Sequence, residues 1–311
     1  MHIPAESFFI FLAQIPAMSY PKKKTLGVHI MSFDLNTITI DTILPIIQEV
    51  ANTYLTRENS QNITVKGDSN FVTEVDTKIE QAMKERLLTL YPDTQFMGEE
   101  GDNSHVDFTT PVWILDPVDG TSNLIHDFQN SSMSLALAIN KKVVFGVIYH
   151  YSTKEYFYAK KGEGAYMGTA NQAFSTTFNT ETPSAYAAPI HVSNTTELSR
   201  TLVSFGTSPY DKATLGEKNC ETLKQIFFLC EDIRRIGSAA IELAYVAAGR
   251  VDIYLERNLK PWDYAAAIVI IEEAGGIITD YAGQTIDISK PCDILAGNKV
   301  VHTKLREKIM L

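Results

Sequence analysis

The chain has 311 residues, 45% apolar and 21% charged, an ordinary globular composition long enough to bury a substantial core. Its formal net charge of −10 argues against nucleic-acid binding through a basic surface, which needs clustered Lys and Arg. Three cysteines without CxxC spacing, Cys220, Cys230 and Cys292, give neither a disulfide framework nor a zinc site and point to reduced, cytoplasmic thiols.

The apolar run Phe8 to Ala13 precedes Lys22, Lys23 and Lys24, the reverse of a secretory signal, and is too short to span a bilayer. Residues 1–32 are therefore expected to form a poorly ordered extension, and 33–311 a single domain. Met31, just before patterned sequence begins, is a candidate start that the mass of the native protein would test.

Ile43, Ile47, Val50 and Tyr54 make a helical stripe with Pro45 near its front. The segment from Ile63 to Val72 reads as extended or hairpin around Gly67-Asp68. Val75, Ile79, Met83 and Leu87 mark a second helix, closed by Tyr91-Pro92. Apolar runs at 94–97, 112–115, 133–139, 143–149 and 155–159 predict strands of a largely antiparallel sheet. Thr169 to Pro189 has no period and reads as a surface loop or insertion. A strand at 201–205, a helix over about 212–229 and a short strand at 233–236 follow. Ser238 caps a helix that Gly249 stops. After a strand at 251–255, a helix from Trp262 ends at Gly275-Gly276, and strands near Ile277 and Ile294 precede a short basic helix. Helices and strands come in blocks, which favours an α+β fold with helix layers covering sheets.

The densest chemistry lies in Asp116-Pro117-Val118-Asp119-Gly120-Thr121-Ser122-Asn123. An apolar strand delivers two acids at its end, Pro117 is expected to stop the ladder, and Gly120 lets the backbone turn. Two carboxylates so close repel unless they share a cation, and a hard ion such as Mg²⁺ suits oxygen ligands. An Asp-rich turn capping a helix would look the same. Gly98-Glu99-Glu100-Gly101 follows a strand, Asp263 opens one helix and Asp76 opens another. Taken singly, these acids also read as solvated loop residues or helix caps.

Together they resemble the inositol monophosphatase family. Its hallmark, Asp-Pro-(apolar)-Asp-Gly-Thr-(Ser/Thr)-Asn, is carried as Asp116 to Asn123, with Ser122 in place of the commoner Thr. The Gly-Glu-Glu stretch stands just upstream, and Trp262-Asp263 followed by Glu273-Ala-Gly-Gly276 matches the second hallmark. The resemblance runs from about Asp34 to the C-terminus and implies a layered α-β-α-β-α sandwich of the inositol monophosphatase and fructose-1,6-bisphosphatase type, and a homodimer.

It further implies a Mg²⁺-dependent phosphomonoesterase acting through activated water. One metal would be held by Glu99, Asp116 and the Val118 carbonyl, a second by Asp116, Asp119 and Asp263, and a third, weaker one near Glu99. Thr121 and Asp76 would orient and deprotonate the water, with Lys66 near it. Gly120 and Thr121 would donate backbone N–H groups to the phosphate, while Gly237, Ser238, Ala239, Glu256 and, more weakly, Thr207 would meet the rest of the substrate. Inositol 1-phosphate is the expected substrate class. Fructose 1,6-bisphosphate, histidinol phosphate, nucleotide phosphates and a regulatory, partner-binding role stay open as alternatives, the last discouraged by an intact ligand set.

Overall fold

The computed structural model describes residues 33–56, 59–60, 62–67, 70–170 and 182–309. The N-terminal extension, Met31, Asp68 and most of the segment read as an insertion, 171–181, lie outside the described residues.

Two helices lead, α1 (Ile40–Tyr54) and α2 (Glu74–Leu90), with a hairpin of β1 (Ile63–Gly67) and β2 (Asn70–Thr73) between them. Pro45 is the sixth residue of α1, past the unpartnered first turn, so it costs the helix the bond to the Asp41 carbonyl; the buried stripe Ile43, Leu44, Ile47 and Val50 holds the helix across it. A seven-stranded sheet follows: β3 (Gln95–Gly98), β4 (Val112–Asp119), β5 (Ser132–Ile139), β6 (Lys142–His150), β7 (Glu155–Lys160), β8 (Ala165–Thr169) and β9 (Ala188–Pro189), adjacent in chain order. Every neighbouring pair is antiparallel except β3 and β4. The short helix α3 (Thr121–Ile125) leaves the end of β4.

The second sheet has the order β11-β10-β12-β14-β13, from β10 (Leu202–Phe205), β11 (Asp232–Arg234), β12 (Ile253–Leu259), β13 (Ile277–Asp280) and β14 (Cys292–Gly297). Here β10 runs parallel to both β11 and β12. The remaining helices are α4 (Lys212–Phe227), α5 (Ala239–Ala247), α6 (Pro261–Glu273) and α7 (Lys299–Lys308).

Alternation along β4 shows how the layers form. Trp113 and Leu115 join Ile43, Ile47, Ile79 and Met83 of α1 and α2 on one face of the large sheet. Val112 and Ile114 point to the other face, where α5 and α6 fill the space up to Tyr254, Ile294 and Ala296 of the small sheet. Beyond that sheet, Val203, Leu255 and Leu295 meet Ile226 of α4 and Val301 and Leu305 of α7. The sequence of layers is therefore α-β-α-β-α.

The middle helix lies close to the large sheet because both surfaces are small. A Cβ on Gly146 would stand 2.4 Å from the Ala266 carbonyl oxygen, in the Ala265-Ala266-Ala267 stretch of α6. No helix among the described residues is long and apolar enough to cross a membrane.

Three details differ from the sequence reading. Strand β8 falls where no strand was expected, and β9 occupies the end of the segment read as a loop. The β3–β4 and β10–β12 pairs are parallel, a property of the crossovers rather than of the strands' own residues. Pro117 does not end β4. Pairing with β5 resumes, since Asp116 faces Ser134 and Asp119 faces Ser132, so β4 carries one extra residue between them. This bulge accommodates the missing N–H of Pro117 and re-aims the two aspartates.

Candidate active site

The end of β4 opens into a cleft of about 440 Å³. Glu99, Asp116, Val118, Asp119, Gly120, Thr121, Gly237, Ala239, Glu256 and Asp263 line it together. These come from both sheets, α3, α5, α6 and the turns after β3, β4 and β11. Gly120 takes the left-handed conformation at φ 86°, and a Cβ there would come within 3.0 Å of the Asn130 carbonyl and 3.1 Å of the Gly237 carbonyl. Asn123 ties this turn across the cleft, donating to the carbonyls of Asn130 at 2.7 Å and Ile236 at 3.0 Å.

The aspartates share one arrangement. Asp116 accepts the Val118 N–H on Oδ1 at 2.9 Å. Asp119 accepts the Ser238 hydroxyl and, at 2.7 Å, the Ala240 N–H, both on Oδ2. Asp263 accepts the Lys260 N–H on Oδ2 at 2.6 Å as the capping box of α6. In each case these bonds fall on a single oxygen, which anchors the carboxylate to the scaffold and leaves the other turned to the cleft's acids. An anchored carboxylate with a spare oxygen is a preorganised acceptor for a cation.

Asp76 divides its oxygens in the same way. Oδ2 takes the Thr73 N–H at 2.8 Å and the Thr73 hydroxyl at 2.6 Å, capping α2. Oδ1 accepts the Thr121 hydroxyl at 3.1 Å, which also lies 3.1 Å from the Val118 carbonyl. The helix-cap reading and the functional reading of Asp76 thus refer to different atoms of one side chain. Asp76 itself lies behind Thr121 and does not line the cleft.

Electrostatics reflect this crowding of acids. Burial, then repulsion from Glu99, Asp119 and Asp263, pushes the Asp116 carboxyl well above the usual carboxylate range. Burial and Asp119 do the same to Asp263. Asp119 is raised to about 6 by burial, held back by its bonds to Ser238 and Ala240. Burial also raises Asp76, against the lowering effect of Thr73.

A cation would relieve all of these at once. Among the described residues no three His, Cys, Asp or Glu side chains close into a cage by themselves. The fold instead offers an open, oxygen-only donor set, which fits Mg²⁺ because that ion keeps waters and shares substrate phosphate oxygens.

Other predicted residues stand apart from the cleft surface. Ser238 is buried and acts through Asp119, and the Thr207 hydroxyl accepts from Arg235 Nε at 3.1 Å rather than lining the cleft. The side chain of Lys66 lies outside the described residues. Sequence reading missed Glu80, which accepts the Glu100 N–H at 2.8 Å and requires Gly98, where a Cβ would meet its carboxylate at 2.4 Å. The signal was present, because Asp76, Glu80, Met83 and Leu87 share the buried face of α2. It also missed Tyr210, Arg235, Asn258 and Glu242 on the cleft wall, which no local pattern marks.

Known proteins share this chain's sequence pattern and fold. The inositol monophosphatase family model matches residues 34–310. An inositol monophosphatase of Dictyostelium discoideum is 33% identical over 286 residues, covering 89% of this chain and 98% of that protein. The Nus factor SuhB of Vibrio cholerae is 34% identical over 256 residues, 80% of this chain and 88% of its own. The crystal structure of the extragenic suppressor protein SuhB from Bartonella henselae superposes with a TM-score of 0.73 at 30% identity, over 86% of this chain and 98% of that one. With the hallmark acids gathered at one cleft of a layered fold and this match along nearly the whole domain, the chain belongs to the inositol monophosphatase family, whose members are metal-dependent phosphoric monoester hydrolases.

Proposed function

We propose that the protein hydrolyses a small polyol or sugar phosphate, with inositol 1-phosphate as the reference substrate, using Mg²⁺ and water. The observation that carries this reading is the repeated half-anchored aspartate: Asp116, Asp119 and Asp263 each fix one oxygen and keep one for a ligand. Glu99 and the Val118 carbonyl, on the same cleft, would complete the donor set.

Bound Mg²⁺ would neutralise the phosphate dianion and acidify the attacking water. The chain's own part is proton handling and orientation. The Thr121 hydroxyl stands between the cleft and Asp76, so it can take a proton from water on its lone pair while giving its own to Asp76 Oδ1. Burial raises the proton affinity of Asp76, which favours that transfer. The Gly120 turn aims the first N–H groups of α3, which have no earlier helical carbonyl to bind, toward a phosphate. Glu256, whose oxygens each keep a second lone pair, would accept a substrate hydroxyl at the far end. A cytoplasmic homodimer belongs to the same proposal, and sedimentation would test its assembly.

The deciding experiment is phosphate release from inositol 1-phosphate, fructose 1,6-bisphosphate, histidinol phosphate, NADP and 3′-phosphoadenosine 5′-phosphate, each with Mg²⁺ and with EDTA. Mg²⁺-dependent release is expected from at least one. No release from any, by folded protein, would shift the weight to a regulatory role, the reading that the name of the Vibrio cholerae relative favours.

A further inference from the structure

Helix α2 carries two buried acids one turn apart, Asp76 and Glu80. Asp76 reaches Thr121, whereas Glu80 does not line the cleft. A buried carboxylate needs hydrogen-bond donors, and Glu80 draws one from the turn that follows β3. Its Oε2 accepts the Glu100 N–H at 2.8 Å. The turn is shaped around this carboxyl group. A Cβ on Gly98 would have Oε2, Cδ and Oε1 of Glu80 as its three nearest atoms, at 2.4, 2.5 and 2.8 Å, and one on Gly101 would stand 3.2 Å from Oε1. Neither glycine has a positive φ, so it is the Glu80 carboxyl, not backbone freedom, that excludes a side chain at Gly98.

The residue framed in this way is Glu99, which lines the cleft. Both peptide units that flank its Cα are held. On one side the Glu99 N–H donates to the Leu115 carbonyl at 3.2 Å, next to Asp116, extending the parallel pairing of β3 with β4. On the other side the Glu100 N–H donates to Glu80. Asn103 closes the turn, accepting the Gly98 N–H at 3.2 Å and donating to the Gly98 carbonyl at 2.7 Å. A residue has two soft backbone dihedrals, so fixing the peptide planes before and after Glu99 fixes the direction in which its side chain leaves the chain. Of these bonds, only the one to Glu80 comes from a side chain remote in sequence.

We propose that Glu80 is a positioning residue for Glu99: the 98–101 turn folds on its carboxylate, and through that turn Glu80 sets how tightly the cleft holds Mg²⁺. One helix then indexes both parts of the centre, because α2 brings Asp76 to Thr121 and, one turn on, Glu80 to the turn that carries Glu99. The inference deepens the phosphatase reading above and rests on it for the identity of the ion.

The test is the Kd for Mg²⁺, read by calorimetric titration of the folded, metal-stripped chain without substrate, beside Tm and inositol 1-phosphate hydrolysis. Glu80→Ala should raise that Kd about tenfold or more, the scale of losing a partner that orients a metal ligand. Glu80→Gln keeps the length and an acceptor for the Glu100 N–H, so its Kd should stay within about threefold of wild type. Gly98→Ala attacks the same contact from the turn and should also weaken Mg²⁺. Added to Glu80→Ala it should cost little more, because the carboxyl group its Cβ would strike is gone. A role confined to packing would lower Tm and leave the Kd alone. An unchanged Kd in folded Glu80→Ala or in Gly98→Ala, or equal losses in Glu80→Gln and Glu80→Ala, overturns the inference and leaves the phosphatase reading intact. The expected Kd shifts in a protein whose wild type releases phosphate from no ester support the inference and overturn that reading. Absence of Mg²⁺ binding by wild type overturns both.

Discussion

The two ends of the cleft use carboxylates in opposite ways. At the β4 end, Asp116, Asp119 and Asp263 each anchor one oxygen and hold the other open. At the β12 end, Glu256 and Glu242 anchor both oxygens, on Tyr254, Ser208, Ser204 and the Gly237 loop. The first arrangement keeps charge available at a fixed place, and the second converts charge into loop geometry. On the proposed reading, chemistry and selectivity are separated along one cleft, and each should be open to disturbance without the other.

The largest effect should come from the open end. Asp119→Asn keeps an acceptor for Ser238 and Ala240 but removes the charge, so kcat with Mg²⁺ should fall about a thousandfold, the scale of losing one preorganised electrostatic group. The melting temperature without metal should hold or rise, because repulsion on Asp116 and Asp263 is relieved. Activity within a few-fold of wild type would refute the ligand assignment. Next, Thr121→Ala and Asp76→Asn should each cost about a hundredfold in kcat, and the double variant little more, because one proton route is lost only once. Additive losses in rapid-quench turnover would show two separate roles.

Metal and pH should trade against each other at the same end. Asp119 titrates near 6 in the folded chain and lower when unfolded, so the folded state binds the extra proton between those values. Stability without metal is therefore fully present below the unfolded pKa and declines as pH rises through about 6. If Mg²⁺ takes the same oxygens, as proposed, its stabilisation should be greater at pH 7.5 than at pH 5. At ten times its Kd it contributes about 1.4 kcal/mol, or about 2–4 °C in Tm. Equal Tm shifts at the two pH values, read by scanning fluorimetry, would detach the ion from these acids.

The open end was legible in the sequence because its residues are nearly consecutive. Asp116 to Asn123 is one strand end, one turn and one helix start, and each step has a local rule behind it. Asp76 and Asp263 were harder, since each is also a genuine helix cap, and only coordinates show two oxygens serving two purposes. The bulge at Pro117 was misread as the end of the strand because register belongs to the partner β5, not to β4 alone. The closed end was hardly legible. Arg235, Ser208, Glu242 and Tyr254 come from four separated places, and what they do is fixed by how β10, β11, β12 and α5 are brought together. Ser208 even adopts φ 45°, a left-handed conformation no sequence rule assigns to serine there.

The smallest predicted effect probes that closed end directly. Tyr254 is fully buried, and its hydroxyl donates to Glu256 Oε2 at 2.6 Å, while Ser208 holds Oε1. Tyr254→Phe removes one donor without opening a cavity, so the ring still packs and Glu256 loses half of its restraint. One hydrogen bond to a charged group contributes about 1.5–3 kcal/mol where it is fully used, and less where a neighbouring bond persists. KM for inositol 1-phosphate should therefore rise by about three- to tenfold. The kcat should stay close to wild type, because Tyr254 touches none of the aspartates at the open end. A fall in kcat with KM unchanged would mean that the closed end reaches the chemistry after all, and that anchoring both oxygens of Glu256 orders the metal end as well as the rim.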